Sequence, residues 1–130
     1  MYFQPLSDKE ERIGKDIVNA AYKVHNNLGP GLLEKIYEIC LTHELQKLGY
    51  DVKRQIDLPI NYDGIIFDEG LRIDILVENQ VICEIKAVDQ VNTVWEAQIL
   101  SHLKLSNIRL CYLINFNVSL IKNGIKRIIL

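Results

Sequence analysis

Apolar residues at Ile13, Ile17, Ala20, Ala21, Val24 and Leu28 recur at three- and four-residue spacing, which draws one stripe along a helix. Ser7-Asp8-Lys9-Glu10 offers a capping box ahead of the stripe and Gly29-Pro30-Gly31 breaks it, so the spacing predicts a helix over about residues 8–28. A second stripe of Leu33, Ile36, Tyr37, Cys40, Leu41, Leu45 and Leu48 predicts a helix from about Leu32 to Leu48, stopped by Gly49. The period then falls to two. Alternating runs at about 50–62 and 65–68, divided by Asp63-Gly64, precede strands at about 71–77 and 81–87 joined by Glu78-Asn79-Gln80. Thr93-Val94-Trp95-Glu96 reads as another capping box, opening a helix through about Leu105. Ile108 to Phe116 is nearly continuous apolar sequence, the mark of a strand buried on both faces. Residues 120–130 read as a short hairpin around Asn123-Gly124.

With 130 residues the expected organisation is a single domain over residues 1–130. No apolar run reaches the roughly 18–20 residues that cross a bilayer. Met1-Tyr2-Phe3-Gln4-Pro5 lacks the charged and apolar regions of a secretion signal, so no membrane partner is expected and the cytoplasm is the expected compartment. Cys40, Cys83 and Cys111 stand at apolar positions without CxxC spacing, which suits reduced core thiols better than disulfides or zinc ligands.

Candidate chemistry lies in the two middle strands. Alternation places Arg72, Asp74 and Leu76 on one face, with Leu71, Ile73, Ile75 and Val77 on the other; Glu84 and Lys86 likewise face away from Val81, Cys83 and Ile85. A three-residue loop pairs Val77 with Val81 and Leu76 with Ile82, and so sets Asp74 opposite Glu84. Directly opposed Cβ atoms are roughly 4.5–5.5 Å apart. At about 5 Å and an effective dielectric near 20, two carboxylates repel by on the order of 3 kcal/mol, a large share of a small domain's stability. Lys86 on the same face and Arg72 opposite it offset part of this. A hard divalent cation bound by both carboxylates would offset it best; the other readings are a proton taken up by one acid and an ordinary solvated charge lattice.

An aspartate on one strand followed by Glu-x-Lys on the next resembles the PD-(D/E)XK nuclease superfamily. Gly31-Leu32-Leu33-Glu34-Lys35-Ile36-Tyr37 resembles the GxxExxY signature of a family of small prokaryotic proteins within it. Glu96-Ala97-Gln98-Ile99-Leu100-Ser101-His102 resembles the QxxxY element of its exonuclease-like branch, with His102 where tyrosine is usual. The matched elements run from about His25 to the C-terminus, and four in order are far more specific than the acid and lysine pattern alone. The resemblance implies an α/β fold with a restriction-endonuclease-like core: a mixed β-sheet flanked by helices in the order α-α-β-β-β-β-α-β, with a C-terminal β-hairpin. It also implies a crossover that sets the strand after the last helix beside the site strands.

The same resemblance implies metal-dependent hydrolysis of nucleic-acid phosphodiesters, with DNA as the expected polymer although no residue separates it from RNA. Asp74, Glu84 and the Ile85 carbonyl would hold Mg²⁺ or Mn²⁺, with Glu34 as third carboxylate and His25 as a secondary ligand. Lys86 would position the attacking water, and Gln98 would orient a phosphate or water. Glu34 also fits plain helix-dipole electrostatics in a first turn, Tyr37 fits packing, Trp95 fits helix docking better than base stacking, and His43 fits the surface. A net charge of −2 provides no bulk attraction for nucleic acid. Local basic patches remain at Lys53-Arg54, at Lys104 with Arg109, and at Lys122, Lys126 and Arg127. The alternative is a non-cleaving module that binds nucleic acid or protein on the same fold; the intact Asp74, Glu84 and Lys86 set favours activity. The small size suggests a homodimer or a larger complex.

Overall fold

The computed structural model describes residues 4–130; residues 1–3, part of the N-terminal reading above, lie outside them. Helix α1 (Asp8–Leu28) begins at the expected capping box, with the Ser7 hydroxyl accepting the Glu10 N–H and the Glu10 carboxylate accepting the Ser7 N–H. It buries Ile13, Ile17, Ala20, Ala21 and Val24 and ends at Gly29, whose φ of 68° favours a residue without Cβ.

Helix α2 (Glu34–Lys47) starts two residues later than the spacing predicts, and Leu33 gives it no side-chain cap. Its buried stripe also differs: Tyr37, Glu38, Leu41, Thr42 and Leu45 face inward while Leu33 and Leu48 are exposed. Glu38 can lie inside because Arg54 and Gln55 satisfy it. The Arg54 guanidinium donates to Oε2 at 2.7 and 3.0 Å and the Gln55 amide donates to Oε1 at 2.7 Å. Removing one partner of such a pair strands a buried charge. Arg54→Ala is therefore expected to cost about 2–3 kcal/mol in urea unfolding, and adding Glu38→Leu to recover most of it; a cost below about 0.5 kcal/mol would contradict the pairing.

Strands β1 (Val52–Tyr62), β2 (Ile65–Val77), β3 (Val81–Lys86), β4 (Leu110–Asn115) and β5 (Ile125–Ile129) form one sheet in chain order. β3 and β4 are parallel and every other neighbouring pair is antiparallel. Helix α3 (Val94–Ser106) supplies the crossover between the parallel strands, as expected. α1 and α2 close one face of the sheet over Ile75, Val77, Val81, Cys83 and Ile85. α3 closes the other with Ile99 and Leu103 over Leu76, Ile82, Cys111 and Leu113. β4 is buried along its whole length, which accounts for its unbroken apolar sequence.

Three expectations are corrected. The runs at 65–68 and 71–77 are one strand, so three strands rather than four precede α3. The interruption is a bulge: the register with β1 slips between Leu58 and Ile60, and Gly70 sits where a Cβ would run into the Leu58 carbonyl. Thr93 does not cap α3, because its own backbone is already helical (φ −64°, ψ −20°); Asn92 Oδ1 accepts the Val94 N–H at 2.9 Å instead. The C-terminal antiparallel pair is made by β4 and β5. Asn123-Gly124 closes a 3₁₀ turn (Ile121–Asn123) in their connection and does not join two strands of its own.

β2 pairs with β3 only over Ile75–Val77, so its earlier residues pair with β1 alone. This two-stranded arm ends in an Asp63-Gly64 turn with φ of 51° and 84°, and exposes Tyr62 and Ile66 near its tip.

Candidate active site

The point where β2 parts from β3 creates the site. Val77 pairs with Val81 and Leu76 with Ile82, as the loop length predicts, and the ladder stops at Ile75 and Cys83. One residue further, the Asp74 carboxylate takes the place of a backbone acceptor: Oδ2 receives the Ile85 N–H at 2.9 Å. That bond fixes the carboxylate against β3. The strand also changes sides here, since Ile73 packs with Ile56 and Leu58 in the α3-side cluster whereas Ile75 packs toward α1 and α2.

Glu84 lies in β3 opposite Leu113 of β4, one residue past the end of the ladder with β2, and is 8% exposed. Its Oε1 is buried with no hydrogen-bond partner. Burial, followed by the negative Asp74 and a hydrogen bond between the two side chains, pushes the Glu84 carboxyl up to about 9. Without a cation, the pair resolves its repulsion at neutral pH by holding a proton.

Lys86 follows on the same face at the end of β3. Its Nζ stands 4.8 Å from the centre of the Trp95 ring, a cation–π contact. Among the described residues no carboxylate comes within ion-pair distance of it. The backbone around it is pinned to β4, with the Lys86 carbonyl accepting the Phe116 N–H at 2.9 Å. The buried Asn115 side chain accepts the Val88 N–H at 3.1 Å and donates to the Val88 carbonyl at 3.0 Å.

Arg72, Asp74, Glu84 and Lys86 form one wall of a cleft of about 270 Å³, and Trp95, Gln98 and His102 of α3 form the other. The structure thus brings Asp74, Glu84, Lys86 and Gln98 together. His102 shares the cleft, its Nδ1 buried without a partner; burial holds the imidazole below its ordinary value, Lys86 adding to the effect and Asp74 opposing it.

Glu34 does not line this cleft but an adjoining one with Lys35, Glu38, Arg54 and Gln55. It remains in electrostatic reach: burial raises its carboxyl, Lys86 lowers it, and Asp74 and Glu38 raise it. His25 is placed elsewhere. Its Nε2 lies 2.8 Å from the Val118 carbonyl, tying the last turn of α1 to the segment before the 3₁₀ turn. Tyr37 stacks on Phe116 at 4.6 Å, and its hydroxyl donates to the Gly29 carbonyl and accepts the Leu32 N–H, stapling the break between α1 and α2.

The family model of the PD-(D/E)XK nuclease superfamily matches residues 11–128. The chain belongs to the PD-(D/E)XK nuclease superfamily. Searches of curated proteins and of solved structures each gave no match. Membership makes nucleic acid the implied substrate, and nucleases of this superfamily generally use divalent metal ions.

The donor set of this PD-(D/E)XK domain fits such an ion. Among the described residues no three His, Cys, Asp or Glu side chains form a closed metal cluster. Mg²⁺ is ordinarily held by one or two carboxylates, with water and substrate phosphate completing the shell. Asp74 and Glu84 supply two carboxylates, and the orphaned Glu84 Oε1 is a buried acceptor that lacks a positive partner. No helix among the described residues is long and apolar enough to cross a membrane.

The α3 wall shows what sequence reasoning missed. Trp95 is half-buried and carries Lys86, a contact that spacing in the chain does not reveal. Asn115 was hidden inside an apolar run, where a lone amide is the signal of a buried clamp. Most expected basic patches are internally engaged: Arg54 on Glu38, Lys126 on Glu96, Arg127 on Glu11, and Arg109 on the carbonyls of Gln4, Pro5 and Leu130.

Proposed function

We propose that the cleft hydrolyses phosphodiester bonds of nucleic acid, DNA before RNA, in a reaction dependent on Mg²⁺ or Mn²⁺, and that within its superfamily the chain is of the GxxExxY type. One observation carries the reading: half-buried Asp74 and buried Glu84, the latter with an unpartnered oxygen, stand beside a lysine that makes no ion pair with a carboxylate among the described residues. Asp74, Glu84 and the Ile85 carbonyl would hold the cation, and Glu34, in the adjoining cleft and electrostatically coupled to Asp74 and Lys86, would add or steer a ligand. Once bound, it neutralises phosphate charge and lowers the pKa of a water.

The chain's own residues divide the rest of the work. Glu84 would have to be ionised to hold the cation, its carboxyl proton passing to solvent. Lys86, held by an aromatic face rather than an acid, directs its N–H donors at the attacking water and at oxygen charge that develops in the transition state. Gln98 projects into the cleft from α3 and donates to a phosphate oxygen. Gly31 at φ 97° and the Tyr37 staple hold the entry to α2, and with it Glu34, which supports the GxxExxY assignment.

The test is cleavage of labelled single-stranded and duplex DNA and RNA with Mg²⁺, Mn²⁺ or EDTA. The expected result is cleavage of DNA with either metal and none in EDTA. The net charge of −2 and the internal pairing of Arg54, Lys126 and Arg127 favour the rival reading, a non-cleaving module on the same fold. Strand binding without cleavage under any metal would establish it.

A further inference from the structure

Beside the cleft lies a larger cavity of about 370 Å³, within the range of small-ligand sites, and the two share Trp95 and Leu113. We propose that this cavity receives the base of the nucleotide whose phosphate sits in the cleft, stacked on Trp95, so that the strand is bound with that base unpaired. The inference rests on the nucleic-acid reading above and adds to it the form of the substrate.

The cavity has the chemistry of a base pocket. Its walls are mostly apolar, from Val91, Val118 and Ile125, and Trp95 contributes the aromatic surface on which bases of any sequence stack. Three amides stand among them, in different states. Asn115 is spent on Val88 and Asn117. Among the described residues Asn92 engages only its side-chain oxygen, on the Val94 N–H, which leaves its NH₂ to donate. The Asn123 carboxamide has no recorded partner among the described residues and can both donate and accept. An edge carrying acceptors and a donor, the Watson–Crick edge of a base, matches that pair. The Glu96 and Lys126 ion pair also lines the cavity. Because Trp95 carries Lys86 and also lines the cavity, a stacked base would lie next to the phosphate that Lys86 serves. A base in a duplex cannot enter without leaving its stack, so single strands and frayed ends are preferred.

Trp95 is the only tryptophan in the chain, and its fluorescence reports on the pocket without any need for cleavage. The probes are a single-stranded oligodeoxynucleotide, an abasic strand of the same length, and the corresponding duplex, each titrated into Glu84→Gln protein. Quenching by the base-containing strand, with little from the abasic strand or the duplex, is expected. Val91→Phe, which fills the cavity from its exposed rim, should abolish the quenching and weaken single-strand binding about tenfold or more, at unchanged melting temperature. Equal binding and quenching by normal and abasic strands would overturn the pocket and leave the nuclease reading standing. If no strand binds and wild-type protein cleaves none with any metal, both fail together.

Discussion

Glu84→Gln is expected to lose at least about 10³-fold in metal-dependent cleavage, yet to be more stable than the wild type in EDTA at pH 8. Both effects come from one environment. The glutamate is 8% exposed, faces Asp74 and has an oxygen without a partner. An amide of the same shape removes the charge that the metal-free fold resists, and with it the ligand that the cation needs. Lys86→Ala should lower cleavage by about 10²–10³-fold with little effect on stability, since the ammonium rests on Trp95 and pairs with no acid among the described residues. Lys86→Arg should not restore the rate, because the guanidinium is planar and cannot place a compact charge in the same position. Paired measurements of single-turnover cleavage and thermal unfolding check these outcomes. Glu84→Gln protein that cleaves within about tenfold of the wild type would remove Glu84 from the chemistry.

The metal-free protein should lose stability as pH rises from 4.5 to about 9. Over that window the unfolded Glu84 has released its proton while the folded one retains it. The unfolded state therefore binds fewer protons, and the unfolding free energy falls with pH. Stability from this group is fully present below 4.5 and is lost as pH passes through about 9. With about 1.4 kcal/mol for each pH unit over which the states differ in protonation, the loss reaches several kcal/mol, or a melting temperature lower by about 10 °C or more. Glu84→Gln should flatten the slope, and millimolar Mg²⁺ or Mn²⁺ should restore stability at high pH by binding only the folded, ionised pair. Melting curves of both proteins from pH 5 to pH 9, in EDTA and in metal, measure it. Parallel pH profiles for the two would show that Glu84 does not hold the proton.

Much of this fold was legible because local signals agreed with tertiary need. The Ser7 capping box, the three-residue Glu78-Asn79-Gln80 loop and the all-apolar β4 each state one structural fact, and the loop length alone fixed the register that leads from Val77 and Val81 to Asp74 and Glu84. What stayed hidden depended on partners distant in the chain. The inward face of α2 was misread because Glu38 is buried only by virtue of Arg54 and Gln55, which lie beyond the helix. Gly70 read as a strand end because close backbone approach to Leu58 cannot be seen along one segment. In the site, strand alternation grouped Asp74, Glu84 and Lys86. The placing of Trp95 over Lys86, and of His25 on Val118, follows from how α3 and the C-terminal segment pack, which periodicity does not encode.

The most direct measurement is calorimetric titration of Mn²⁺ into wild-type and Glu84→Gln protein at pH 7, in two buffers of different ionisation enthalpy. About one proton should be released for each cation bound by the wild type, with neither the release nor the tight binding surviving in Glu84→Gln. Absence of binding, or binding without proton release that Glu84→Gln leaves unchanged, would contradict a site in which Asp74 and Glu84 exchange a buried proton for a metal ion.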